Sequence, residues 1–163
     1  VSKTDYPVTP AVRELKSLGI GYEPFQYEYE EKGGTRQTSL ELSVDEHCVV
    51  KTLVFEDETT KSFIVLMHGD KEVSLKELAR VRGCKKISPC DAQKAMKATG
   101  YQFGGTSPFG TKMKLEVYVE ETILSLDRIY INGGKRGFIV AIDPNDLRKA
   151  FSLSEVNVAI DNK

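Results

Sequence analysis

The sequence predicts an α+β fold: one domain over residues 1–163, with a mixed β-sheet. The α+β class rests on three observations. Apolar, β-like runs (Cys48–Phe55, Ser62–Met67, Gly137–Ile142) alternate with capped helical segments. No regular β-α-β period links them, which argues against a doubly wound parallel sheet. A length of 163 residues, 40% of them hydrophobic, fits a single core that is stable without disulfides or metal.

In chain order, Thr9-Pro10 caps and opens a helix carrying Ala11, Val12, Leu15 and Leu18, and Gly19 ends it. Phe25, Tyr27 and Tyr29 alternate with polar residues, as on a half-buried strand. Glu31–Thr38, with Gly33-Gly34, reads as a loop before a short helix at Ser39–Leu42. Two strong strands follow, Cys48–Phe55 and Ser62–Met67, joined by a charged turn. Ser74 and Glu77 form a capping box for a helix that stops at Gly83. Ser88-Pro89-Cys90-Asp91 opens another, with Ser88 as its cap, and Gly100 ends it. Tyr101–Gly110 holds too much Gly and Pro for a helix or central strand. Leu115–Glu120, Arg128–Asn132 and Gly137–Ile142 read as strands. Asp143-Pro144 opens a last helix through Phe151, and Val156–Ile160 adds an edge strand.

Composition limits function only coarsely. No apolar run exceeds five residues (Phe63–Met67), far below the roughly 20 that span a bilayer, so no membrane association is expected. Nothing resembles an export signal, and three cysteines without C-x-x-C spacing point to a reducing cytoplasm. The net charge of −1 conceals a segment from Arg80 to Lys114 with eight cations against Asp91 alone. Either that segment is a solvated surface or it meets a phosphate-bearing ligand.

Several catalytic signatures fail. Gly105-Thr-Ser-Pro-Phe109 has Phe where a nucleophile elbow needs Gly, and both histidines lie upstream of Ser107. Gly133-Gly-Lys-Arg136 lacks the rest of a phosphate-binding loop. His47 and Cys48 are neighbours on a strand and point to opposite faces, and no metal-ligand spacing occurs. Three features remain. Lys51 sits inside the apolar run Cys48–Phe55, either snorkelling from a sheet edge or pointing into a polar pocket. Gly104-Gly105, with Ser107, Pro108 and Gly110, forms a loop whose amides could meet a ligand oxygen, or a plain surface turn. Gly133-Gly-Lys-Arg-Gly137 holds two cations in a hairpin.

At these residues the chain resembles the YbaK/EbsC family. The resemblance lies in Thr9-Pro-Ala-Val12, Val50-Lys-Thr-Leu53, Thr99-Gly-Tyr-x-x-Gly-Gly-x-Ser-Pro-x-Gly110 and Tyr130-x-x-Gly-Gly-Lys-Arg-Gly137, in order from about Pro7 to Phe151. Members are freestanding aminoacyl-tRNA deacylases related to the editing domain of prolyl-tRNA synthetases. The resemblance implies a mixed, partly barrel-like β-sheet surrounded by helices, no metal and no organic cofactor. It implies Lys51 as the essential residue, followed by Thr52, and a pocket lined by Gly104, with Gly105 beside it, and Tyr27. Ser107 in the glycine loop, Asn132 and Gly133 at the hairpin, and the cations Lys135 and Arg136 are the further expected substrate contacts. The implied substrate is a mischarged aminoacyl-tRNA of the Cys-tRNA(Pro) kind, with prolyl-tRNA synthetase as an expected partner. Asn132 stands where the cysteine-specific branch has serine, and Ile139 where it has aspartate. The loop around Gly33–Thr38 also lacks its usual phenylalanine. A non-catalytic RNA-binding module and a Schiff-base enzyme acting through Lys51 are the competing classes.

Overall fold

A computed structural model describes residues 5–162. The first helix, α1 (Pro10–Ser17), follows Thr9, whose side chain accepts from Val12 N, and buries Ala11, Val12 and Leu15. The Thr9 hydroxyl also donates to Gly133 O at 2.6 Å, tying the helix start to a hairpin 124 residues away. Strand β1 (Glu23–Gln26) is shorter than the alternation of Phe25, Tyr27 and Tyr29 predicts. Tyr27 N donates to Gly137 O just beyond the strand. A Cβ at Gly137 would lie 2.3 Å from Tyr27 O, so only glycine allows this crossing.

Helix α2 (Gly34–Leu42) begins five residues earlier than expected. The paired glycines suggest a loop, and Gly34 does take a left-handed φ of +59°. The helix start is held instead by Gln37, whose Oε1 accepts from Glu30 N while its Nε2 donates to Glu28 O. Strands β2 (Val49–Asp57), β3 (Ser62–His68) and β4 (Lys71–Val73) come next. Helix α3 (Leu75–Arg82) is capped by Ser74, which accepts from Glu77 N. The Glu77 carboxylate turns to Arg80 rather than back to the cap, so only half of the capping box forms.

Strand β5 (Ile87–Pro89) occupies residues expected at a helix start; the cap of α4 (Ala92–Thr99) is Asp91, not Ser88. Pairing of Ser88 with Glu56 explains the difference, since a residue in a ladder cannot also open a helix. Strands β6 (Val117–Glu120), β7 (Ile129–Lys135) and β8 (Phe138–Ile142) follow. After α5 (Leu147–Ala150), the expected single edge strand is two: β9 (Leu153–Val156) and β10 (Ala159–Asp161).

The main sheet runs β1-β8-β7-β2-β3-β6-β9, with β5 added to β2 and a separate β10-β4 pair. It is mixed: β2–β7, β3–β6 and β6–β9 are parallel, and the other pairings in it are antiparallel. Strand alternation gives it two apolar faces. Val50, Ile64, Leu66, Ile131 and Val140 pack with α1, Tyr101 and Phe109 on one side. Phe55, Phe63, Val65 and Met67 pack with Leu78 and Ala79 of α3 on the other.

Candidate active site

Lys51 does not snorkel from an outer edge. It lies on β2, between β3 on one side and β7 and β5 on the other. The ladder with β7 covers Val49 and Val50, and that with β5 resumes only at Phe55. Among the described residues, no strand pairs with Lys51, Thr52 or Leu53 along that edge, which leaves a window in the sheet. Lys51 pairs with Met67 across β3 and shares its face of the sheet. Thr52, one residue on, faces the opposite side beside Leu66, and its buried Oγ1 has no hydrogen-bond partner.

The Lys51 amine is half-buried and makes no ion pair among the described residues. Burial pushes its pKa below the ordinary lysine value, while the more distant carboxylates Glu72, Glu46 and Asp70 partly offset the effect. A cation that is partly desolvated and unpaired is available to a ligand oxygen. This is the electrostatic state that oxyanion stabilisation requires.

The β2–β7 ladder ends at Val50–Ile131, so Lys51 and Asn132 are the next residues of the two strands, at the window's rim. Asn132 Nδ2 donates to Gly104 O at 3.2 Å, while its Oδ1 accepts from Gly134 N and Lys135 N. One side chain thus joins the glycine loop to the β7–β8 hairpin next to the window. Ile139, opposite Asn132 on β8, is buried and presents an apolar wall. Gly105 is needed for this closure, because a Cβ there would meet Arg136 N at 2.8 Å and Lys135 C at 3.0 Å. Gly104 takes φ +86°, and a Cβ on it would lie 2.6 Å from Tyr29 Oη.

The remaining candidates divide. Tyr27 Oη shares a 2.7 Å hydrogen bond with Thr38 Oγ1 of α2, and burial raises the Tyr27 pKa. Ser107 is fully buried and accepts from Phe109 N, which holds the loop. Gly133 leaves room for the Phe138 ring, 2.6 Å from where its Cβ would be. Lys135 is exposed, and Arg136 lies with its guanidinium 5.1 Å over the Tyr29 ring.

Several polar contacts around α2 and the start of β2 are not legible in the sequence. Thr38 and Gln37 lay in the expected loop. The two histidines, separated in sequence, come together: their rings stack at 3.7 Å, and His47 Nδ1 meets Asp70 Oδ1 at 2.9 Å. The β2–β3 register, which pairs Val50 with His68, is the signal that could have brought His68 back beside His47. His47, His68 and Asp70 have ligand atoms within 4.8 Å of one another, but the cluster is a poor metal site. His68 Nδ1 must donate to His47 O, and burial lowers the His68 pKa, keeping the ring neutral. Its Nε2 then accepts from the Thr122 hydroxyl, so no lone pair is left for an ion.

The sequence signature of the aminoacyl-tRNA editing domain matches residues 33–150. EbsC of Enterococcus faecalis, named as a candidate Cys-tRNA(Pro)/Cys-tRNA(Cys) deacylase, is 28% identical over 83% of this chain and 84% of its own. A proline–tRNA ligase of Thermodesulfovibrio yellowstonii is 27% identical over 83% of this chain and 22% of its own length. A crystal structure described as a candidate trans-editing enzyme for prolyl-tRNA synthetase superposes with a TM-score of 0.82. It covers 96% of this chain and 100% of that one at 18% identity. The hypothetical protein APE2540 superposes with a TM-score of 0.83 at 23% identity, over 92% of this chain and 99% of its own. The chain belongs to the aminoacyl-tRNA editing domain family.

Proposed function

We propose that this editing-domain chain is an aminoacyl-tRNA deacylase that acts in trans on tRNA(Pro) mischarged with cysteine or an amino acid of similar size, and that Lys51 is its essential catalytic residue. The observation that carries the reading is the unpaired, half-buried Lys51 amine at the window of β2, beside the Asn132–Gly104 bridge. An aminoacyl ester is already activated, so placement and charge stabilisation can supply most of the rate. Lys51 holds the ester carbonyl oxygen as negative charge develops there. The attacking group is water or the thiol of a cysteinyl substrate, and the ribose oxygen leaves with a proton. Gly104 and Gly105 let their loop close on Tyr29 and on the hairpin beside the site, and Tyr27 and Asn132 bound the amino-acid side. Lys135 and Arg136 meet phosphates of the acceptor end.

The name of the Enterococcus relative supports cysteine as the edited amino acid. Ile139, where the cysteine-specific pattern has aspartate, makes the wall beside Asn132 apolar, which favours small apolar side chains as well. Editing of such residues is needed because one methylene is worth only about 1–3 kcal/mol to a synthetase. The test is a panel of tRNA(Pro) charged with cysteine, alanine, serine or proline. The proposal expects cysteinyl or alanyl ester to be cleaved well above the spontaneous rate, with Pro-tRNA(Pro) spared. Protection of every ester by the protein would contradict it and leave an RNA-binding module.

A further inference from the structure

The loop 101–110 carries three aromatic side chains, and it treats them differently. Tyr101 is 4% exposed and donates from its hydroxyl to Phe109 O; Phe109 is fully buried. Phe103, between them, is 79% exposed, the most exposed large apolar side chain among the described residues. Its backbone is nevertheless fixed. Arg136 Nε donates to Phe103 O at 2.8 Å, Gly105 N donates to Gln102 O at 2.9 Å, and Asn132 Nδ2 holds Gly104 O. The ring therefore projects from an anchored segment rather than from a free loop tip.

Its neighbourhood is cationic. Arg136 uses Nε on the loop and its face on Tyr29, which leaves the terminal guanidinium nitrogens without protein partners among the described residues. Lys135 is exposed and makes no ion pair among them. An exposed ring held rigidly next to two free cations matches the chemistry of an unpaired nucleotide: a flat base on the aromatic face and a phosphate on the cations. We propose that Phe103 is a stacking platform for an unpaired nucleobase, the terminal base of the acceptor end whose ester reaches Lys51. The connectivity agrees, since Gly104, the next residue, is bonded to the side chain of Asn132, which follows the last β7 residue paired with β2, just as Lys51 follows the last β2 residue paired with β7. The identity of the base rests on the deacylase reading above; the stacking site itself does not.

The chain contains no tryptophan, so Phe103→Trp supplies a single fluorescent reporter at the site. Titration of this variant with the trinucleotide CpCpA should quench its emission, whereas ribose 5-phosphate, which carries sugar and phosphate but no base, should not. In steady-state deacylation, Phe103→Ala should raise KM for charged tRNA about 5- to 150-fold, with Phe103→Trp close to wild type. Absence of quenching by CpCpA, or equal quenching by ribose 5-phosphate, would overturn the proposal, as would an unchanged KM in Phe103→Ala. If the wild-type protein cleaved no ester, the deacylase reading would fall, and the quenching result would still decide whether a base stacks here.

Discussion

Replacing Gly105 by alanine tests whether closure of the glycine loop on the hairpin builds the site. The new Cβ would lie 2.8 Å from Arg136 N, 3.0 Å from Lys135 C and 3.2 Å from Lys135 Cα. All three are backbone atoms, so no side-chain rotation relieves the contact. Reaching ordinary separation, which begins at 3.4 Å, requires the loop to move by about 0.6 Å. The Asn132–Gly104 hydrogen bond is already 3.2 Å long, and such a shift breaks it. Overpacking of this kind costs about 1–3 kcal/mol, which lowers the melting temperature by roughly 2–10 °C for a chain of this size. The effect on catalysis should be larger, because a misplacement near 1 Å can cost about a hundredfold in rate. Deacylation kinetics read beside a thermal melt separate the two. Gly83→Ala is the control: Gly83 ends α3 with φ +76°, and no atom lies within 4 Å of where its Cβ would stand, so this variant should lose stability without losing activity. If Gly105→Ala kept wild-type kcat/KM while melting lower, the loop would be structural and the site would lie elsewhere.

Other expectations follow from the charges. Burial lowers the Lys51 pKa, so the rate should begin to fall with rising pH before the ordinary lysine value of 10.5, and any residual activity of Lys51→Arg should lack that limb. The Asp57 carboxyl is held well below the usual carboxylate range by the Thr59 hydroxyl and by Arg82. A depressed folded pKa contributes stability above the unfolded value of 3.8 that is lost as pH falls through the folded one. The wild-type melting temperature should therefore drop below about pH 4 more steeply than that of Asp57→Asn. Lys135→Ala with Arg136→Ala should weaken tRNA use and reduce the slope of log KM against log salt by roughly 0.7 per lost phosphate contact. Equal salt slopes in variant and wild type would assign the hairpin a structural role only.

What the sequence revealed, and what it hid, follows the range of the interactions. Thr9, Ser74, Gly83 and Gly100 act on backbone groups within a few residues, so helix ends at these positions could be read directly. The start of α2 could not, because Gln37 secures it through Glu28 and Glu30, outside the helix. Ser88 was drawn into a ladder with β2 by a partner 32 positions earlier. The same limit applied at the site. Lys51 was conspicuous as a charge in an apolar run, but its interior strand and the window beside it depend on where β7 and β5 pair. Ser107 and Gly133 also serve the loop and the packing of Phe138, contacts that no local sequence signal announces. Phe103 drew no notice because exposure cannot be read from a single aromatic in a loop.

The central claim is that Lys51 stabilises charge on the ester in the transition state. Single-turnover deacylation of Cys-tRNA(Pro) and Ala-tRNA(Pro) by wild type and Lys51→Ala, with enzyme in excess, tests it most directly. The account expects the rate constant to fall by about a hundredfold or more on whichever ester wild type cleaves, with the melting temperature nearly unchanged. Cleavage by Lys51→Ala at the wild-type rate would contradict it.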